Sequence, residues 1–539
     1  MSDPQSILWY LPLLLYAETH YRFRFFFSYL KKNEPEILAD APHRLEPGTP
    51  LPLLILAKDA HRYPCALQNV RIEIRQGSKR EIRNNALEGP QPLAQPLWWR
   101  IVPLDVTSWS GWIELTVLLT IERQGKAKTY SSDNHRTSSG RPLRVFVSEN
   151  PLPRFANLYL GDAHTHSSYT DDQVEFGSPM KAALGLCRSM GLSFFCVTDH
   201  SYDLDDHAHS YLVNHPELPK WKAFQEEVNE LNEGHDGFAV VRGEEVSCRN
   251  GVGKNVHLLL YGTRQFFAGS GDGAERWLRT RSEHSIAEII QQKGMNVAAY
   301  AAHAHEHVPY LQRLLLGRDT WSDQDLQTEG LQGIQFLNGK IDDGFRSGKE
   351  AWVRALLRGK RLFAVAGNDA HGNFNRFRQI GIPFLGMRET DEQIFGKMRS
   401  GVFLQGPLTE ASVVEALRDG NAIVSDGPVV HARLVTSDGT ITPLGGTARS
   451  SEAQLRFTAL SSQDYGEITS LRVLLGEIRS SEEKTVVSFN DRMGFEVQKQ
   501  VSIRPRGACY VRIEAETSRQ NLLDQQAHWC FTNPIWVSP

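Results

Sequence analysis

The chain has 539 residues, which is too long for one hydrophobic core, so about three domains are expected. Its apolar content of 40% and charged content of 23% are ordinary for a soluble globular protein. The formal net charge of −4 argues against a dedicated nucleic-acid-binding protein, which usually carries a basic excess. Six scattered cysteines without a CxxC pair exclude a disulfide scaffold and a zinc–thiolate site, so we expect a cytoplasmic protein with reduced thiols.

An apolar segment at residues 7–16 is the candidate for membrane insertion near the N-terminus. It contains Pro12 and is shorter than the ~20 residues that a spanning helix needs. Acidic Asp3 precedes it, whereas a signal peptide begins with basic residues. We therefore interpret the segment as a structural strand or helix and expect no membrane partner.

The chain divides into three zones that differ in their pattern of apolar and polar residues, and residues 1–150 form the first. Short β-rich apolar runs alternate there with turn-forming or charged residues, which is the spacing of a β-sandwich. The candidate strands are residues 53–56, 70–74, 98–102, 112–121 and 143–147. This zone carries no catalytic constellation, so it is predicted to be an N-terminal β-sandwich-like domain.

Residues 151–420 alternate strand and helix signals, which is typical of an α/β barrel. Ser285 with Glu288, and Ser347 with Glu350, have the spacing of helix capping boxes, and Gly359 stands where a helix should end. The candidate strands are residues 158–160, 194–198, 238–241, 257–261, 297–302, 334–337 and 362–366.

Residues 421–539 return to short strands, which predicts a second, C-terminal β-sandwich-like domain. The candidate strands are residues 429–435, 455–459, 471–475, 485–489, 494–503, 509–514 and 528–531.

The histidines are concentrated in the middle zone, where thirteen of the nineteen lie between His164 and His371. His164 and His166 follow the first candidate strand of that zone. Two histidines at i and i+2 on an extended segment point to the same face, so both imidazoles can reach one metal ion. This pair alone does not distinguish a metal site from two solvated loop histidines.

Ionisable residues recur at the edges of the other strands. In a barrel the C-terminal ends of the strands converge on one mouth, where active sites form. The sets are Asp199-His200, Glu244-Glu245, His257, His303 with His305, and Asp369 with His371.

His257 begins its strand instead of ending it. The short link before it contains Gly251 and Gly253, which predicts a hairpin and therefore an antiparallel fourth strand. That reversal would bring Glu245 and His257 to the same mouth.

So many buried ionisable groups would be costly unless metal cations compensated the charge. Mixed imidazole and carboxylate ligands suit zinc, manganese or iron better than magnesium or calcium. The number of donors indicates two or three divalent metal ions, because a closed structural site usually needs only four ligands.

In these residues the middle zone resembles the PHP (polymerase and histidinol phosphatase) domain. The run from Val414 to Gly420, followed by Val424 to Pro428, resembles the tail of CehA/McbA-type metallohydrolases. The resemblance implies a distorted (β/α)7 TIM-like barrel, two or three divalent metals, and hydrolysis of phosphoesters or carbamate-like esters. The residues that carry it are His164, His166, Asp171, Thr198, Asp199, His200, Glu245, His257, His303, Asp369 and His371.

The resemblance also implies roles for these residues. His164 and His166 would bind the first metal with Asp369, and Glu245 would bridge two metals. The remaining ligands would be Asp171, His200, His257, His303 and His371. Asp171 fits the family's spacing better than Asp172, and Glu245 fits it better than Glu244.

Two assignments stay open. The family's Ala-His-Pro is replaced here by Ala302-His303-Ala304-His305, so His305 is an alternative ligand to His303. Asp199 either orients a histidine ligand, as carboxylates near metals commonly do, or caps a local turn. Asp199 and Glu245 are the predicted catalytic side chains.

The sequence therefore predicts a hydrolase that uses a metal-bridging hydroxide at a di- or trinuclear site. A phosphoesterase is the leading prediction, with a small anionic ester as substrate and no nucleic acid. Carbamate, carboxyl-ester or amide hydrolysis on the same centre is the alternative. A metal-binding scaffold protein that uses its β-domains for interactions is the non-enzymatic alternative. The oligomeric state is left open.

Overall fold

The computed structural model describes residues 34–135, 138–170, 177–207, 210–273, 280–380 and 387–538. The apolar segment at residues 7–16 and the predicted ligand Asp171 lie outside these ranges. The chain divides into two compact units. The first takes in Met1–Pro151, Asp171–Gly191 and Ala370–Ile394, and the second takes in Leu152–Thr170, Leu192–Asp369 and Phe395–Pro539. The domain boundaries at residues 150 and 420 stay a prediction.

The described residues of the N-terminal part of the first unit form ten strands, and all five predicted strands lie within them. They are β1 Glu36–Asp40, β2 Arg44–Leu45, β3 Leu51–Lys58, β4 Cys65–Gln76, β5 Lys79–Arg83, β6 Gln91–Leu93, β7 Leu97–Leu104, β8 Gly111–Arg123, β9 Lys126–Ser131 and β10 Leu143–Val147. One sheet has the order β1-β3-β7, and the other has the order β2-β10-β8-β4-β5 with β6 on β4 and β9 on β8. Buried side chains alternate along β8, and residues such as Ile55, Ile72 and Val117 give both sheets one hydrophobic core.

The middle of the chain supplies six helices, α1 to α6 among the described residues, and the strands that carry most of the predicted ligands. The strands are β11 Leu158–His166, β12 Phe194–Val197, β13 Asp206–His207, β14 Ser210–Asn214, β15 Ala239–Arg249, β16 Asn255–Tyr261, β17 Ala298–Ala301, β18 Gly333–Asn338 and β19 Phe363–Gly367. The helices are α1 Met180–Ser189, α2 Ser201–Leu204, α3 Pro219–Gly234, α4 Ile286–Gln292, α5 Tyr310–Leu315 and α6 Asp343–Leu357, with a 3-10 turn at Asp325–Gln327. All seven strands predicted for this zone are present.

These seven strands form one sheet in the order β19-β18-β17-β16-β15-β12-β11. The pairs β11 with β12, β12 with β15, β17 with β18 and β18 with β19 are parallel. Strand β16 is antiparallel to both neighbours, which confirms the predicted hairpin. The sheet is therefore mixed, with its one reversed strand in the middle.

The sheet curls until its last strand returns to its first. The backbone N–H of Asp369 donates to the carbonyl oxygen of His164 at 2.9 Å. A Cβ on Gly367 would lie 2.5 Å from the Cβ of His164, so only glycine permits this approach. Among the described residues no strand ladder joins β19 to β11. The structure thus shows a curled α/β sheet, and closure into a (β/α)7 barrel stays a prediction.

The described residues of the rest of the chain are rich in strands and include the helix α7 Glu410–Asp419. The strands are β20 Ala370–His371, β21 Phe377–Ile380, β22 Met387–Thr390, β23 Arg399–Phe403, β24 Ala422–Ser425, β25 Val429–Thr436, β26 Ile441–Pro443, β27 Thr447–Arg449, β28 Ala453–Leu460, β29 Ile468–Glu477, β30 Lys484–Phe489, β31 Glu496–Ile503, β32 Cys509–Thr517, β33 Trp529–Thr532 and β34 Ile535–Ser538. The curled sheet continues from β11 through β23, β24, β33, β32, β29 and β30, and a second sheet has the order β26-β25-β28-β31. Strands predicted as a separate sandwich thus extend the sheet that carries the ligands.

The helix ends test the predicted caps. The Ser285 hydroxyl accepts from the backbone N–H of Glu288, and Glu288 returns the bond, so this capping box is confirmed. The box predicted at Ser347 is wrong, because α6 begins four residues earlier and is capped by Asp342. Gly359 follows the end of α6 with a φ of +87°, as predicted. Among the described helices none combines the length and apolarity that crossing a bilayer requires.

Candidate metal centre

The carboxylate of Glu245 lies at the middle of a buried cluster of imidazoles. Its Oε2 atom is 3.1 Å from His164 Nε2, 3.2 Å from His166 Nε2 and 3.2 Å from His200 Nδ1. Its Oε1 atom is 2.6 Å from His257 Nδ1 and 3.0 Å from His303 Nε2. Five of the predicted ligands therefore surround the sixth.

The carboxylate of Asp369 joins the same cluster from the end of β19. Its Oδ1 atom is 3.0 Å from His166 Nε2 and 3.4 Å from His164 Nε2. Asp369 has a φ of +51°, in the left-handed region that aspartate tolerates better than most residues. The turn after β19 thus directs a second carboxylate at the histidines of β11.

The alternation of side chains along extended backbone explains why these groups meet. His164 and His166 stand two residues apart on β11 and share a face of the strand. His200 follows β12 and His303 follows β17 at the same edge of the sheet. His257 reaches that edge because β16 runs in the opposite direction, as the hairpin predicted.

Burial and charge oppose each other in this cluster. Burial alone would raise the pKa of Glu245, but the imidazoles of His164, His257 and His200 lower that pKa well below its usual range. Burial alone would lower the pKa of His164, but Glu245 and Asp369 raise it. The pKa of His257 rises to about 9, because Asp272 and Glu245 outweigh the effect of burial. The centre therefore attracts positive charge, as protons or as metal ions.

Two groups within the second unit are compact enough to hold a metal ion. The first consists of His164, His166, Glu245 and Asp369, and the second consists of His200, Glu245 and His257. Within each group one donor atom from every residue lies within 4.8 Å of the others. Glu245 belongs to both groups, with His164, His166 and His200 on its Oε2 atom and His257 on its Oε1 atom.

The protonation of His164 tests whether a metal fits the first group. Its Nδ1 atom lies 2.8 Å from the amide oxygen of Gln335, which can only accept a hydrogen bond. Nδ1 must therefore carry the proton. In the neutral ring the lone pair of Nε2 then faces the Glu245 carboxylate at 3.1 Å, which is repulsive unless a cation lies between them. This arrangement fits a metal ligand.

His257 shows the same arrangement in the second group. Its Nε2 atom lies 2.7 Å from Oδ2 of Asp272, which also accepts from Arg318 Nε at 3.1 Å. If Nε2 carries the proton, the lone pair of Nδ1 faces Glu245. A carboxylate behind a histidine in this way is the usual support of a metal ligand.

Asp199 uses its carboxylate to hold the loop that follows β11. It accepts from Ser167 N–H at 2.7 Å, from Ser167 Oγ at 2.6 Å and from Thr170 Oγ1 at 2.8 Å. The Thr170 hydroxyl also lies 3.4 Å from Nδ1 of His166. These contacts agree with the turn-capping interpretation and connect Asp199 to a ligand through Thr170. A catalytic role for Asp199 stays a prediction.

Of the two histidines left open after β17, His303 is the one whose ring contacts Glu245. His303 and His305 both line a pocket with Glu306, Asn338 and Lys340. His371 lies in β20, in the first unit, so its role as a ligand stays a prediction.

Three residues that support the centre were not predicted from the sequence: Gln335, Asp272 and Asp162. Asp162 is buried two residues before His164 and accepts hydrogen bonds from the backbone N–H groups of His164 and Asn368 and from the amide of Asn368. It fixes β11 against the turn that carries Asp369. A carboxylate inside an otherwise apolar strand start was the available signal for Asp162. The sequence carries no comparable signal for Gln335 or Asp272.

No protein-family model matches the chain, and no curated protein matches it. Among solved structures, a two-domain protein from Bacteroides vulgatus that contains a predicted PHP-like metal-dependent phosphoesterase aligns at 13% identity, with 72% of this chain and 98% of that one covered and a TM-score of 0.34. A β-D-mannosidase from Dictyoglomus thermophilum aligns at 8% identity over 92% of this chain and 66% of that one, with a TM-score of 0.21. Trypsin-activated α-2-macroglobulin from Escherichia coli aligns at 10% identity over 94% and 24%, with a TM-score of 0.14. Similarity at this level assigns no family, so the case for the centre rests on its own geometry.

Proposed function

We propose that this chain is a metal-dependent hydrolase that acts on phosphoesters. The observation that carries the proposal is the Glu245 carboxylate, which lies between His164 Nε2 on one oxygen and His257 Nδ1 on the other. Each ring has its second nitrogen on a hydrogen-bond acceptor, Gln335 or Asp272. With that second nitrogen protonated, the neutral form of each ring would direct a lone pair toward the same carboxylate, which suits ligands of two metal ions held together with Glu245.

The residues of the centre fall into two sets, one for each metal ion that they would hold. His164, His166 and Asp369 would hold one metal, His200 and His257 would hold another, and Glu245 would contact both. When bound, such metals lower the pKa of water and stabilise negative charge on an ester undergoing attack. The burial of Glu245 and the imidazoles keeps their geometry rigid and limits the water that competes for these donors.

Two cations near the centre support an anionic substrate. Arg318 contacts Asp272, which supports His257, and its side chain is about one quarter exposed. Lys340 lines the pocket that includes His303 and is ion-paired to Asp342 at 3.4 Å. Guanidinium and ammonium groups bind phosphate oxygens well, which favours a phosphoester over a neutral carboxyl ester.

The motif order also supports membership of the PHP superfamily, which we propose together with a (β/α)7 barrel and a CehA/McbA-like tail. The support is the succession of ligands at the strand edges, from His164 on β11 to Asp369 after β19. A third metal, involving Asp171 and His371, is part of the same proposal. Zinc, manganese and iron are the proposed metals because the donors are imidazoles and carboxylates.

Metal content is the first test. We expect about two or more equivalents of tightly bound zinc, manganese or iron in the gently purified full chain, by elemental analysis. Glu245→Gln should lose most of that metal, whereas Glu226→Gln, an exposed position on α3, should keep it. Fewer than two equivalents in the wild-type chain would favour the scaffold interpretation.

Substrate class is tested separately with the metal-loaded chain. We expect turnover of nitrophenyl phosphate or bis-nitrophenyl phosphate to exceed turnover of nitrophenyl acetate and of a nitrophenyl carbamate. The reverse order would replace the phosphoesterase proposal with the carbon-ester alternative. An absence of turnover on every ester, with zinc, manganese or iron supplied, would refute both.

A further inference from the structure

We propose that Gln335 is a positioning residue of the metal centre, which selects Nε2 of His164 as the ligand atom and holds His303 in place. The inference rests on the proposed metal centre. Gln335 lies on β18 and is fully buried, and no charge of its own makes it an obvious member of a metal site.

The orientation of the Gln335 amide follows from its neighbours. The backbone N–H of His303 can only donate, and it lies 3.2 Å from Oε1 of Gln335. Nε2 of Gln335 donates to Oδ1 of Asn338 at 2.9 Å. The oxygen therefore faces His303 and His164, and the amino group faces Asn338. With His164 Nδ1 as its second donor, both lone pairs of Oε1 are used.

Asn338 and Glu306 fix the far end of this chain of hydrogen bonds. Nδ2 of Asn338 donates to Oε2 of Glu306 at 3.1 Å, so Oδ1 of Asn338 must be the atom that faces Gln335. Every donor in the series meets an acceptor: Glu306 accepts from Asn338, Asn338 from Gln335, and Gln335 from His164. The Glu306 carboxylate on the pocket wall thus fixes the orientation of the Asn338 and Gln335 amides, and the Gln335 amide fixes the tautomer of His164.

Gln335 also restrains the turn that carries His303. His303 has a φ of +26°, a backbone conformation that a histidine adopts only when its surroundings impose it. The side chain of Gln335 accepts from the N–H of His303, and its backbone carbonyl accepts from the N–H of Ala304 at 3.3 Å. One residue therefore bonds two consecutive amides of the turn and the ring of His164.

The test compares metal affinity in three variants of the full chain by competition with a chelator, using zinc as the probe. Gln335→Met keeps the volume but removes both hydrogen-bonding functions. Gln335→Glu keeps the acceptor toward His164 and His303, and the Asn338 amide can turn so that its amino group donates to the second carboxylate oxygen. Gln332→Met removes a nearby amide that accepts from Ala299 N–H, and serves as the control.

We expect Gln335→Met to weaken zinc binding about tenfold to a hundredfold, the range typical of lost support to a metal ligand. Gln335→Glu should lie within about threefold of the wild type, and so should Gln332→Met, because neither removes the acceptor behind His164. If Gln335→Met fails to fold, Gln335→Glu still decides, since affinity as weak as that of Glu245→Gln would overturn the proposal. Gln335→Met at wild-type affinity would also overturn it. A wild-type chain that binds no zinc would instead refute the metal centre itself.

A second pair of variants tests the outer part of the relay. Asn338→Asp keeps an acceptor for Nε2 of Gln335, so zinc binding should stay within about threefold of the wild type. Asn338→Leu removes that acceptor and leaves the Gln335 amide free to turn its amino group toward His164, so zinc binding should weaken. Wild-type zinc affinity in Asn338→Leu would show that the relay does not act on the centre.

Discussion

Replacement of Asp272 probes how strongly a carboxylate behind a ligand controls the centre. Asp272 is 7% exposed, and its Oδ2 atom lies 2.7 Å from His257 Nε2. Asn keeps an oxygen for this N–H but turns a charge-assisted hydrogen bond of about 1.5–3 kcal/mol into a neutral one of about 1 kcal/mol. The loss of about 0.5–2 kcal/mol corresponds to roughly twofold to thirtyfold weaker metal binding.

Asp272→Ala should cost more, because Nε2–H of His257 would then be buried without an acceptor. That penalty is about 1–3 kcal/mol, so we expect metal binding weakened by up to about a hundredfold. Chelator competition on the full chain measures both variants beside the wild type. Asp323→Asn is the control, since Asp323 pairs with Arg354 and contacts no histidine of the centre. Equal affinities for the Asn and Ala variants, or an Ala variant within threefold of wild type, would refute this reasoning.

Three further predictions concern stability. His528 is buried beside Asp426, which raises the pKa of the imidazole from 6.5 to about 9 although burial opposes that shift. His528→Gln should therefore lower the free energy of unfolding by about 3 kcal/mol at or below pH 6.5, and the difference should fade as the pH rises toward 9. A difference in urea unfolding that does not depend on pH would contradict this. Gly367→Ala should destabilise the chain and weaken metal binding together, because the new Cβ meets backbone atoms of His164, so an unchanged melting temperature would argue against the curled sheet. Ser285→Ala should cost about 1 kcal/mol through the lost N-cap, whereas Ser347→Ala, inside α6, should change little; equal effects measured by chemical unfolding would be inconsistent with the caps described.

Much of the ligand-bearing sheet was predictable because its signals are local. A run of apolar residues indicates a buried strand, and the glycines between β15 and β16 indicate the hairpin. The hairpin in turn placed His257 against Glu245. The helix start at Ser347 failed for a local reason as well, because Asp342 offers a competing cap five residues earlier.

What the sequence did not predict depends on contacts between distant residues. Gln335 meets His164 across 171 positions, and an amide in an apolar strand carries no pattern that links it to a metal site. Asp272 lies in a polar loop where aspartate is common. The continuation of the sheet from β11 into the C-terminal strands has the same cause, since any strand with a buried face fits several partners.

The hairpin of β15 and β16 gives the centre two halves that differ in the order in which they can form. Glu245 and His257 are 12 positions apart, whereas His166 and Asp369 are 203 apart. By loop-closure entropy the longer contact costs about 2.5 kcal/mol more to bring together in the unfolded chain. Glu245 and His257 can therefore meet early, on a single hairpin, while the rest of the sheet is still closing. If the proposed metal ion binds to this pair, the reversed strand would be the place where the distant ligands are gathered.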